Sequence, residues 1–159
     1  MKSLSSNLNR NLKQALVLLV DDNDEQVELM QATMQQYLPE VGLIRRTTPQ
    51  EALTWLQDTF RQDFTIPKLI LLDLYLPTRQ EGFALLEQIN ELGLPFASIP
   101  IVMLSYSNAQ ADISQAYEQG ASSFLTKPLD YPGWLSFFQQ LRTYWWETVT
   151  LPSGDRNLL

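Results

Sequence analysis

The sequence predicts one doubly wound α/β domain, and three observations carry that expectation. Apolar runs recur along the chain, among them ALVLLV (15–20), KLILLD (68–73) and PIVMLS (100–105). They lack the apolar–polar alternation of a strand with one wet face, so they read as strands buried on both sides. Between them lie segments whose apolar residues repeat at helical spacing, so strand and helix alternate throughout. No repeat, low-complexity tract or long linker divides the 159 residues, and 45% hydrophobic content suits a single core.

The first strand, 15–20, stops at Asp21-Asp22-Asn23. Val27, Met30, Met34 and Leu38 then mark one face of a helix that Pro39 ends. A short strand is expected over 41–46. Thr48 as N-cap, Pro49 at the first helical position and Glu51 three residues after the cap start a second helix, which carries Leu53, Leu56 and Phe60. The third strand, 68–73, leads through a loop to Gly82, and Phe83, Leu86 and Ile89 mark the third helix. After the strand at 100–105, Ala109, Ile113, Ala116 and Tyr117 share one face of a fourth helix, with Gly120 placed as its C-cap glycine. A fifth strand, 122–126, closes at Lys127-Pro128, and a last helix is expected from about Trp134 to Val149. Residues 1–13 read as a polar arm, 14–150 as the domain and 151–159 as a tail.

Composition narrows the chemistry. The chain has no cysteine and no histidine, which removes thiolate and imidazole metal sites, Ser-His triads and a phosphohistidine of its own. A formal charge of −7 is wrong for a phosphate-backbone binder and suits cations or basic partners, so nucleic acid is not expected. The N-terminus lacks the apolar core of a secretion signal, and no apolar run is long enough to span a bilayer, so a cytoplasmic protein without a membrane partner is expected.

In such sheets, ligands bind at the carboxyl ends of the strands. Asp21 and Asp22 follow the first strand, Asp73 closes the third, Ser105 the fourth, and Lys127 follows the fifth. One strand-end aspartate is ordinarily a cap or turn residue. Three converging on one crevice repel one another, and a hard cation such as Mg²⁺ is the natural compensation. Asn23 and Asp24 read as helix-capping residues.

The segments VLLVDDNDEQ (17–26), LILLDLYLP (69–77), IPIVMLSYS (99–107) and SFLTKPLD (123–130) together resemble the receiver domain of response regulators, the CheY-like phosphoacceptor module of two-component signalling. The resemblance implies a flavodoxin-like five-stranded parallel sheet of order 2-1-3-4-5 with five helices. It implies Asp73 as phosphoacceptor, with Asp21, Asp22, Asp73 and the backbone carbonyl of Tyr75 around Mg²⁺. Ser105 would bind the phosphoryl group, Lys127 would pair with phosphate or carboxylate, and Phe124 takes the position of the aromatic switch. Such a protein is not an enzyme beyond its own phosphorylation and dephosphorylation, and its donor would be a sensor histidine kinase.

The tail segment YWWETVTLP (144–152) and a loop one residue longer between Asp73 and Gly82 resemble the single-domain regulators that partner cyanobacterial phytochrome kinases. Output would then pass through contact with a downstream protein that the sequence does not identify. In the last helix Trp134, Phe137, Phe138, Leu141, Tyr144 and Trp145 form one stripe toward the sheet. Leu135 and Trp146 fall outside it, which points to a homodimer through that helix and the tail.

Two residues depart from the family's pattern. Tyr106 stands after Ser105, where a small residue is usual, and Tyr75 is larger than is common at its position. Both keep open a receiver-like module that works without phosphorylation. An aspartate-nucleophile phosphatase usually carries a second Asp where Tyr75 stands. A flavodoxin-type FMN protein would need a Ser/Thr-rich phosphate loop where this chain has acids.

Overall fold

The computed structural model describes residues 15–144. Five parallel strands, β1 (Leu16–Val20), β2 (Gly42–Arg46), β3 (Leu69–Asp73), β4 (Ile101–Ser105) and β5 (Ser123–Thr126), form one sheet in the order 2-1-3-4-5. The helices α1 (Asp24–Tyr37), α2 (Pro49–Asp63), α3 (Arg79–Glu91), α4 (Gln110–Glu118) and α5 (Tyr131–Leu141) connect the strands and cover both faces, with a 3₁₀ turn at Phe96–Ser98 before β4. This is the flavodoxin-like architecture expected from the sequence.

Alternation along each strand divides the core into two layers. Leu18, Val20, Ile70, Leu72 and Met103 pack with Ala52 and Leu56 of α2, Phe83 and Leu86 of α3 and Ala116 of α4. Val17, Leu19, Leu69, Leu71 and Leu104 pack with Val27, Met30 and Met34 of α1 and with Trp134, Phe138 and Leu141 of α5. Because β1 and β3 are buried on both faces, their strict apolarity up to Val20 and Leu72 follows, and the change to Asp21 and Asp73 marks where the sheet ends.

Local capping follows the sequence signals. Thr48 accepts from Glu51 N–H, and Glu51 accepts from the backbone and hydroxyl of Thr47, one residue before the cap. Asn23 caps α1 and Thr78 caps α3 through bonds from Gln26 N–H and Glu81 N–H. Gly120 takes φ +101°, a backbone region that disfavours side chains. Gly82 is required by proximity: a Cβ there would lie 1.7 Å from the carbonyl oxygen of Leu74. The first turn of α3 thus rests on the backbone just after Asp73.

Two helices differ from the expectation. In α4, Ala109 is the N-cap residue and exposed, and Tyr117 is half exposed; the buried positions are Asp112 and Ala116. A buried aspartate is invisible to apolar periodicity; it is tolerated because Arg79 Nε pairs with it from α3. Arg79 also donates to Gln115 (2.8 Å) and lies over the ring of Phe83 (4.8 Å). The last helix starts at Tyr131 rather than Trp134, because Asp130 accepts from Gly133 N–H and Pro132 fits the first turn. Its regular part ends at Leu141, and Tyr144 is exposed rather than turned to the sheet. Trp145, Trp146 and the expected continuation to Val149 lie outside the described residues, while Leu135 is half-buried.

Candidate functional site: an acidic crevice at the strand ends

Strand order reverses at β1, where β2 leaves on one side and β3 on the other, which opens a crevice beyond the carboxyl ends of these strands. Asp21, Asp22 and Asp73 each bring a carboxylate oxygen there, and these oxygens lie within 4.8 Å of one another. Asp21 is fully buried, Asp73 is 6% exposed and Asp22 is open to solvent. Lys127 enters from the end of β5, itself buried. Its Nζ donates to Asp21 Oδ2 at 3.1 Å and lies 3.1 Å from Asp73 Oδ1.

Burial is the largest influence on Asp73 and raises its pKa from 3.8 to about 6. The Lys127 charge opposes that rise and the neighbouring Asp21 reinforces it. A hydrogen bond from Lys127 and one from Tyr75 N–H also oppose it. One ammonium faces three carboxylates, so the crevice keeps an excess of negative charge. All-oxygen donors of which two are buried fit a hard divalent cation, with the exposed Asp22 leaving room for water ligands.

The remaining expected residues sit around this core. Tyr75 is two residues past Asp73 and 44% exposed. Ser105 is buried beside the crevice; its carbonyl accepts from Lys127 N–H (2.8 Å), and its Oγ accepts from Ser107 N–H (3.0 Å). Phe124 is not in the crevice. It packs, partly buried, against the layer formed by α2, α3 and α4, and its N–H donates to the hydroxyl of Tyr117 (3.2 Å). Tyr106 is 51% exposed, and its ring centroid lies 5.4 Å from Lys127 Nζ.

Two contributors were not legible as site residues. Gln26, in the first turn of α1, accepts from Lys127 Nζ at 2.8 Å, shorter than either carboxylate contact. Arg45 Nε donates to the carbonyl of Asp21 (3.1 Å) while its guanidinium pairs with Asp24 (2.7 Å). Gln26 stands three residues after the Asn23 cap, a position whose ordinary role is to close the helix end.

Residues 17–134 match the response regulator receiver domain. The chain belongs to that family. This receiver is 30% identical over 140 residues to the response regulator Rcp1 of Synechocystis sp., covering 87% of this chain and 94% of Rcp1. Among solved structures, the Mn²⁺-bound form of Rcp1 matches with TM-score 0.74 over 87% of this chain and 99% of that one. The phosphorylated cyanobacterial phytochrome response regulator RcpA matches with TM-score 0.78 at 27% identity, over 88% of this chain and 99% of that one. The receiver is thus homologous to single-domain response regulators of two-component systems. Among the described residues, no helix is long and apolar enough to cross a membrane.

Proposed function

We propose that this receiver accepts a phosphoryl group on Asp73 and relays the signal by protein contact. The observation that carries the reading is the placement of Asp73. It is a buried carboxylate at the end of a central strand, 3.1 Å from Lys127 Nζ and among two further carboxylates. An Asp73 oxygen forms the new bond to phosphorus as the bond from phosphorus to the donor breaks, and the leaving group departs with the electron pair. Lys127 stabilises charge on the transferring oxygens. Asp21, Asp22, Asp73 and the Tyr75 carbonyl are the groups that would hold Mg²⁺, which supplies further charge neutralisation when bound. Ser105 then holds the phosphoryl group and Phe124 answers it from the neighbouring strand.

The chain contains no histidine, so the donor is another molecule, a sensor histidine kinase. The relationship to Rcp1 and to RcpA, a phytochrome response regulator, favours a phytochrome-type kinase in the cytoplasm. The absence of an aspartate at position 75 disfavours a phosphatase, and the complete set of acids, hydroxyl and lysine disfavours a module that never meets phosphate.

Incubation with a phytochrome-type kinase or with acetyl phosphate and Mg²⁺ tests this. We expect one hydroxylamine-labile phosphoryl group per chain, absent in Asp73→Asn; labelling that survives this substitution overturns the assignment. We also place a homodimer contact on α5 and the tail, through Leu135 and Trp146. Sedimentation of wild type beside Trp146→Ala should show a dimer lost in the variant, and a wild-type monomer refutes it.

A further inference from the structure

We propose that Gln26 is a positioning residue for Lys127, the neutral acceptor that keeps the ammonium aimed at Asp73 whatever occupies the carboxylates. The inference rests on Asp73 being the phosphoacceptor. An ammonium has three N–H donors, and Lys127 has three oxygens in reach: Asp21 Oδ2 and Asp73 Oδ1 at 3.1 Å and Gln26 Oε1 at 2.8 Å. Its donors are therefore matched one to one. Two of these acceptors are carboxylates that a cation or a phosphoryl group recruits during the reaction. When Asp21 and Asp73 turn oxygens elsewhere, Gln26 is the acceptor that stays.

The local backbone explains why Gln26 is available. Three residues after an N-cap, a glutamine ordinarily reaches back to the cap's own N–H. Here the Asn23 N–H is already taken by Asp21 Oδ1 at 2.9 Å. The Gln26 N–H is held in turn by the Asn23 side chain at 3.0 Å, which fixes the first turn of α1. Its carboxamide is thus released from capping and directed across the crevice mouth to a lysine 101 residues away in sequence. A carboxylate in its place would tie Lys127 by charge and reduce what the ammonium offers to phosphate; an amide orients without neutralising. The Tyr106 ring centroid lies 5.4 Å from the same Nζ, and Tyr106 and Gln26 line one depression together with Asn23, Glu25 and Pro128.

The test uses Gln26→Met, of similar length but without the acceptor oxygen, alone and combined with Lys127→Met. Phosphorylation by acetyl phosphate with Mg²⁺ is followed by intact mass across donor concentrations. Loss of a hydrogen bond to a charged group should lower the rate constant at saturating donor by on the order of tenfold, with the half-saturating donor concentration unchanged. In the Lys127→Met background the same substitution should have no further effect. In metal-free protein without donor, the slowly exchanging side-chain NMR signal of the Lys127 ammonium should be lost in Gln26→Met and kept in Gln26→Glu. An unchanged rate and NMR signal in Gln26→Met, or equal effects with and without Lys127, overturn the inference. A wild type phosphorylated elsewhere than Asp73 removes the reading beneath it, and Asp73→Asn run alongside separates the two failures.

Discussion

Replacing Asp73 by asparagine should stabilise the metal-free protein at neutral pH and do nothing of the kind in acid. Burial raises the Asp73 carboxyl from 3.8 to about 6, so the folded state binds its proton more tightly than the unfolded chain does. This contribution favours folding fully below about pH 4 and is lost as pH rises to about 6. Above that, the ionised folded carboxylate costs about 3 kcal/mol relative to the unfolded one. Asparagine keeps an oxygen for Lys127 and places an N–H₂ near Asp21, so the variant removes the cost without stranding a partner. Urea unfolding in EDTA at pH 7.5 should show a gain of about 3 kcal/mol, which moves the midpoint by roughly 1–3 M at the slopes usual for small proteins, roughly 1–3 kcal/mol/M. At pH 4 the gain should fall below about 1 kcal/mol. Millimolar Mg²⁺ should raise the wild type and leave the variant nearly unmoved, which narrows the difference. Equal midpoints at pH 7.5, or a gain that persists undiminished at pH 4, would refute the view that Asp73 is held ionised against its surroundings.

Three further perturbations address other parts of the structure. The Tyr106 ring stands over Lys127, so Tyr106→Ala should expose the phosphoryl group to water and shorten the acylphosphate lifetime several-fold, by about the 1 kcal/mol of one cation–π contact; decay followed by mass spectrometry that matches wild type ends the shielding idea. Arg79→Met strands the buried Asp112 and should cost about 1–3 kcal/mol by urea unfolding, with much of the loss recovered in Arg79→Met/Asp112→Leu. Gly82→Ala places a methyl against the Leu74 carbonyl and should cost about 3 kcal/mol in the same assay, and slow Asp73 phosphorylation by shifting the adjoining loop.

The sheet was legible because its signals are strong and one-dimensional. LVLLV, LILL and IVML are apolar on both faces, and each ends where a polar group begins. Asp21, Asp22, Asp73 and Lys127 could be placed at one crevice because parallel strands bring their carboxyl ends to one edge. What could not be read depended on side-chain direction. Gln26 looks like a capping residue until Asn23 N–H is seen to be taken. Tyr117 fits an inward stripe by spacing, but the buried ion pair of Asp112 with Arg79 sets the rotation of α4 and leaves Tyr117 leaning on the backbone of Phe124. Leu135 sits half-buried on α5, beyond what periodicity alone decides.

The two-layer core also constrains how the crevice can speak to the rest of the molecule. The acids and Lys127 gather beyond the sheet's edge, whereas Phe124 packs with the layer of α2, α3 and α4. The layers meet at the strands between them, and β3 and β4 are buried along their whole length. Ser105 touches both sides: its carbonyl holds the Lys127 backbone, its register partner is Thr126, and its hydroxyl accepts from Ser107 N–H. A hydroxyl turned toward a group on Asp73 would have to give up the geometry of the Ser107 bond. The pairing of Asp112 with Arg79 ties α4 to the helix that follows Asp73. The segments after Asp73 and after Ser105 are thus joined by the ion pair between α3 and α4, and Ser105 in turn holds the Lys127 backbone.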